Sequence, residues 1–232
     1  MLNATYKVFH KDMGNDKRNN CAKNITNTMS KQYEALDSPT VYLSTFEEAY
    51  KYLETVPTLR FNQIPDYHLN GAPWPHSPGA MGIWLSNYLA FKKFLETDKD
   101  VLFIFENDAV ISPNFSQVVE NYLKALPDGW EFFTSFVPEN CLNRYNSSHD
   151  IPNENAVCKV YQDWSCASYA VSRRGAEKTI SDVEKHGVSA PIDWYVFNIS
   201  HLNTEVFASY ALKPSAYKPV WLDPVSKEST IW

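Results

Sequence analysis

The stretch VLFIFENDAV, residues 101–110, constrains this chain more than any other. Its five consecutive apolar residues, Val101 to Phe105, have the length and bulk of a fully buried strand. Such a strand is expected to run out into turn residues, yet this one ends on Glu106-Asn107-Asp108. Two carboxylates spaced i, i+2 beyond the end of a strand can aim oxygen ligands at one hard cation, while the residue between them turns away. In an open α/β sheet that edge is also where ligands bind. The same triplet can simply end a strand and cap the next helix, and the triplet alone does not choose between the two.

Short apolar runs alternate with longer amphipathic ones, which predicts a single-domain α/β fold with a mostly parallel central sheet flanked by helices. Strands are expected at residues 6–10, 39–43, 101–105, 130–137, 157–160, 168–171 and near 208–212. A helix is expected to begin near Lys17, and Ser44-Thr45-Phe46-Glu47 has capping-box spacing ahead of another that carries Phe46, Ala49, Tyr50 and Leu53 on one face. Further helices are expected at 79–94, 115–126, 173–185 and around 192–199. Residues 57–78, with Pro65, Pro73, Pro75 and Pro78, read as a long loop in which Trp74 and His76 could form a lid. Residues 138–156 read as a polar excursion.

A net charge of −6 and a pI near 5.5 argue against a nucleic-acid surface, since phosphate neutralisation needs clustered Lys and Arg and the one cluster, Lys17-Arg18, is small. A phosphate-bearing partner remains open if a metal ion supplies the positive charge. The N-terminus has no apolar core of signal-peptide length, and no stretch reaches the roughly 18 apolar residues of a membrane span. The chain is therefore expected to be cytoplasmic, without an integral membrane segment. Four cysteines without CxxC spacing do not suggest zinc.

Four segments, taken together and in order, carry more information than any one of them. VLFIFENDAVISPNF resembles the stretch of glycosyltransferase family 25 in which a hydrophobic strand ends in Glu-Asp-Asp-Val. GAMGIWLSNYLAF resembles that family's Gly-Glu-Ile-Gly-Cys-X-Leu-Ser-His helix through Gly79, Gly82, Leu85 and Ser86. SYAVSRRGAEK resembles its Ala-Tyr-X-Ile-Ser-X-X-Gly-Ala segment through Tyr169, Ser172, Gly175 and Ala176, and PIDWYV resembles its Pro-X-Asp element through Pro191 and Asp193, with ALKPS resembling the Pro-containing strand that follows it. The resemblance spans roughly residues 79–215; Asn87 stands where the family has His, and Asn107 where it has its middle Asp.

The resemblance implies a GT-A, Rossmann-like fold, with a nucleotide-sugar and metal half at about 1–115 and an acceptor half at about 116–232. It implies an inverting glycosyltransferase with a nucleoside-diphosphate sugar, expected to be UDP-linked, and a glycan or glycoprotein acceptor. Glu106 and Asp108 would ligate Mn²⁺ or Mg²⁺. Asp193 is the first candidate base for the acceptor hydroxyl and Asp163 the second, although Asp193 could equally be a helix N-cap. Phe9, His10, Leu43, Ser44, Gly79, Ser86 and Asn107 are candidates for contacting the donor, and Trp164 and Tyr169 for stacking on a sugar. A non-catalytic carbohydrate or nucleotide-sugar binding module of the same fold is the alternative, with a metal-dependent phosphohydrolase behind it.

Overall fold

In the computed structural model, a seven-stranded sheet has the order β2-β1-β3-β7-β5-β8-β6. Residues 2–10, 14–65, 73–136, 157–160, 166–198, 203–212 and 218–222 are described. The strands are β1 (Ala4–Phe9), β2 (Glu34–Ala35), β3 (Val101–Glu106), β5 (Phe132–Thr134), β6 (Val157–Lys159), β7 (Ser168–Ser172) and β8 (Ser209–Leu212). β1 pairs parallel with both β2 and β3, β5 pairs parallel with β8, and β7 and β6 are paired antiparallel to their neighbours. Five strands thus run one way and two the other. A separate two-stranded sheet joins β4 (Ala109–Ile111) to β9 (Val220–Leu222).

Helices cover both faces of the large sheet, as the apolar run of β3 requires. Phe132 and Phe133 are adjacent in β5 and so point to opposite faces. Phe133 meets Tyr122 of α4 (Phe115–Lys124), while Phe132 meets Phe91 of α3 (Pro78–Leu95). On the α4 face, Phe103 and Phe105 of β3 both pack edge-on against Phe115. Tyr33, just beyond α1 (Asp16–Met29), joins them. On the opposite face α3 packs with α5 (Arg173–His186).

These placements define the winding. The chain leaves β1 through α1 on one face to reach β2, then returns through α2 (Phe46–Leu53) and α3, entering β3 on the other side of β1. The connections diverge between β1 and β3, and in such sheets a crevice opens at the carboxyl ends of those strands. Phe9 and Glu106 are paired at that edge.

The expected strand at residues 39–43 does not form. Leu36 N–H takes the carbonyl of Tyr6 at 2.7 Å, and the short β2 covers β1 before Pro39 is reached. Residues 39–43 instead lie on α3, where Val41 N–H donates to Ser86 Oγ at 2.8 Å and Ser86 Oγ donates to the carbonyl of Gly82 at 2.8 Å. A Cβ on Gly82 would stand 2.8 Å from the carbonyl oxygen of Val41, so this approach needs glycine. The capping box forms one residue later than its spacing suggested. Thr45 Oγ1 accepts from Glu48 N–H, and the Glu48 carboxylate accepts from Thr45 N–H.

Candidate functional site

The crevice between β1 and β3 is a cavity of about 350 Å³. The acidic triplet forms one wall, where the chain leaves β3 of the large sheet and turns into β4 of the small one. The helix-cap reading of that triplet fails, because β4 intervenes and Asn114 holds the N-cap position of α4. A second wall is the start of α3, where Ser77 Oγ accepts from Ala80 N–H at 3.1 Å and Ser77, Pro78 and Gly79 face the cavity. Residues 40–44 form a third wall, held on α3 by the Val41–Ser86 contact, and Arg18 of α1 completes the lining.

Eight of the residues singled out in the sequence line this cavity: Phe9, Leu43, Ser44, Gly79, Ser86, Glu106, Asn107 and Asp108. His10 is not in the lining, but its Nδ1 lies 3.3 Å from Asn107 Nδ2 and so helps to place that amide. Tyr169 is a correction. It is 1% exposed, packs on Phe132 and donates its hydroxyl to Asn87 Oδ1, so it is a core residue that no sugar can reach. Trp74 is likewise core rather than lid, with its indole N–H on the carbonyl of Val188 at 3.0 Å. Asp163 and Trp164 lie outside the described residues. The sequence reading passed over Arg18, Thr40, Val41, Tyr42 and Ser77 as lining residues. The N-cap signature Asn15-Asp16 ahead of Lys17-Arg18 was the available signal for a fixed Arg18.

Among the described residues, acids outnumber bases in this corner. Burial is the main reason the Glu106 carboxyl is pushed up to about 8; the nearby carboxylates of Asp108 and Asp193 push the same way, and Arg18 opposes them. Asp193 is 5% exposed and does not line the cavity, but it is close enough to disfavour ionisation of Glu106. Burial raises its own carboxyl to about 7, against the opposing hydrogen bond from Trp194 N–H to Asp193 Oδ1 at 2.9 Å. Pro191 is the N-cap of α6 (Ile192–Val196), so Asp193 sits inside the first turn and is not the cap residue.

Three crowded acids, two of them holding protons near neutrality, make a corner that would gain from a positive charge. Among the described residues no group of three or more His, Cys, Asp or Glu side chains could hold a metal ion. A cation here would rest on Glu106 and Asp108, with the Asn107 amide beside them, and draw its remaining oxygens from a ligand and water. That donor set suits Mg²⁺ or Mn²⁺, which commonly use one or two carboxylates plus substrate phosphates. No helix among the described residues is long and apolar enough to cross a membrane.

No protein-family model matches this sequence, and no curated protein does. Among solved structures, the crystal structure of A197 from STIV aligns with 96% of this chain and 94% of its own, at 14% identity and a TM-score of 0.41; so distant a likeness carries no argument about activity.

Proposed function

We propose that this chain is a metal-dependent, inverting glycosyltransferase of the GT-A type. It would move a sugar from a nucleoside-diphosphate donor, UDP-linked as the sequence resemblance implies, to a hydroxyl of a glycan or glycoprotein. The observation that carries this reading is the cavity at the β1/β3 divergence, where Glu106 and Asp108 stand across from the N-terminus of an 18-residue helix. That pairing of carboxylates with a helix N-terminus suits a ligand that brings both a cation and anionic phosphates.

Glu106 and Asp108 would hold the Mn²⁺ or Mg²⁺, which when bound offsets the negative charge developing on the departing nucleoside diphosphate. The first turn of α3 presents its positive dipole end to the phosphates. Tyr42, beside the cavity and partly exposed, offers a flat face for the nucleobase. Asp193, with its carboxyl near 7, would take the acceptor hydroxyl's proton as that oxygen attacks the anomeric carbon, a role that requires the acceptor to reach it behind the cavity lining. Asp163 is the second candidate for this role.

The test is a thermal-shift screen of nucleoside diphosphates with Mn²⁺ and Mg²⁺, followed by assays of donor hydrolysis and transfer. UDP with Mn²⁺ is expected to raise Tm, and Asp108→Ala to abolish that shift. No shift with any nucleoside diphosphate would sink the proposal. A shift without turnover would leave a binding module of the same fold.

A further inference from the structure

The charge of Arg18 reaches the Glu106 carboxyl and favours its ionised form. The other arginines among the described residues are engaged. Arg60 donates to the carbonyl of Lys185 at 2.7 Å, Arg173 to the carbonyls of Leu95, Thr97 and Lys99 at 2.8 to 3.1 Å, and Arg174 to Glu131 at 3.1 Å. The Arg18 guanidinium makes no hydrogen bond or ion pair among the described residues, yet it lines the cavity. Its backbone is fixed, because Asn15 Oδ1 accepts from the N–H groups of Lys17 and Arg18, each at 3.2 Å, at the start of the 14-residue α1. Arg18 is also the only cationic side chain among the described lining residues.

We propose that Arg18 is the phosphate-reading residue of this cavity and makes it select a diphosphate over a monophosphate; this rests on the cation placement proposed above. The charges support it. Ionised Glu106 and Asp108 cancel one divalent cation, leaving among the lining groups Arg18 and the end of α3, together about +1.5, which the partly ionised Asp193 outside the lining reduces without removing. The cation and the guanidinium are then two separate positive points, and a ligand with two linked phosphate groups can place one on each. A guanidinium fork matches a phosphate with two parallel N–H···O bonds, which an ammonium cannot reproduce.

The experiment titrates wild type, Arg18→Ala and Arg18→Lys with UDP, UMP and inorganic pyrophosphate, each with saturating Mn²⁺, and with Mn²⁺ alone. Wild type is expected to prefer UDP to UMP. Arg18→Ala should weaken UDP and pyrophosphate about 10- to 100-fold, leave UMP within about twofold, and change the affinity for Mn²⁺ alone far less than that for UDP. Arg18→Lys should recover part of the loss, which a merely structural role would not produce. If pyrophosphate binding depends on Arg18 but no sugar is ever transferred, this inference stands and the glycosyltransferase reading falls. If sugar is transferred and Arg18→Ala keeps the same KM and the same preference for UDP over UMP, the inference falls and the glycosyltransferase reading survives. If wild type binds neither UDP nor pyrophosphate, both fall.

Discussion

Glu106 and Glu131 are both glutamates at an end of the same sheet, and their surroundings are opposite. Glu131 precedes β5 at the amino-terminal edge and is 1% exposed. It accepts from Arg174 Nε at 3.1 Å, Lys178 Nζ at 3.3 Å and Ala208 N–H at 2.8 Å, which ties α5 to β5 and β8. Glu106 ends β3 at the carboxyl-terminal edge, where its strongest electrostatic neighbours are two more acids. A buried carboxylate with every oxygen answered is structural. One crowded by like charge is held there by something other than stability, which is the physical ground for reading that corner as functional.

The largest expected difference comes from neutralising each glutamate. Glu131→Gln should cost about 2–3 kcal/mol, near the low end for a broken buried pair because Arg174 can turn to water. At this chain length that is a fall in Tm of about 4–12 °C. Glu106→Gln should raise the Tm of the ligand-free protein at pH 8.5, because it removes a charge that burial and two acids disfavour. If thermal melts show Glu106→Gln to be the more damaging of the two, the contrast fails.

Glycine substitutions sharpen the same contrast. A Cβ at Gly175 would meet the backbone oxygen of Glu131 at 2.4 Å, and one at Gly82 the backbone oxygen of Val41 at 2.8 Å. Gly175→Ala should lower stability by about 1–3 kcal/mol and leave the affinity for UDP with Mn²⁺ unchanged. Gly82→Ala should be milder in stability but displace the 40–44 wall, weakening that affinity. Chemical denaturation and ligand titration on both variants separate the effects.

The pH dependence of the ligand-free protein has a definite sign. The Glu106 carboxyl is raised from 4.5 to about 8 and that of Asp193 from 3.8 to about 7. Between the ordinary and raised values the folded chain holds protons that the unfolded chain has released. The stability these groups contribute is therefore complete below about pH 4 and is lost as pH rises through 7 and 8. Binding Mn²⁺ must displace those protons, so the Tm shift it causes should grow from pH 6 to 8.5, and Glu106→Gln should flatten that growth. A metal shift independent of pH in wild type would contradict the crowded-acid description.

The smallest effect is expected at the capping box. Thr45→Ala should cost about 1 kcal/mol and leave ligand affinity nearly unchanged, because its hydrogen bonds are internal to the start of α2. A large loss of affinity would mean that α2 sets the position of the 40–44 wall more strongly than Ser86 does.

The helices were legible because their signals are local. Apolar residues at helical spacing and caps within one turn place α3, α4 and α5 within a few residues of their expected bounds. Val101–Phe105 was legible for a related reason, since five apolar residues in a row have few other uses. The strand expected at 39–43 was missed because edge pairing depends on which segment reaches β1 first, and Leu36 does. β4 and β9 are three residues each and pair across about half the length of the chain, which no local pattern records.

By itself the sequence determined the α/β class, the central apolar strand and the acids at its end, because composition and periodicity act over a few residues. Only the tertiary structure decided which of those residues share a cavity. It brought Arg18, the start of α3 and residues 40–44 to Glu106 and Asp108, and it sent Tyr169 into the core. The reason is that a crevice between β1 and β3 arises from the direction of two crossovers, a property of the whole winding that no single stretch of residues carries.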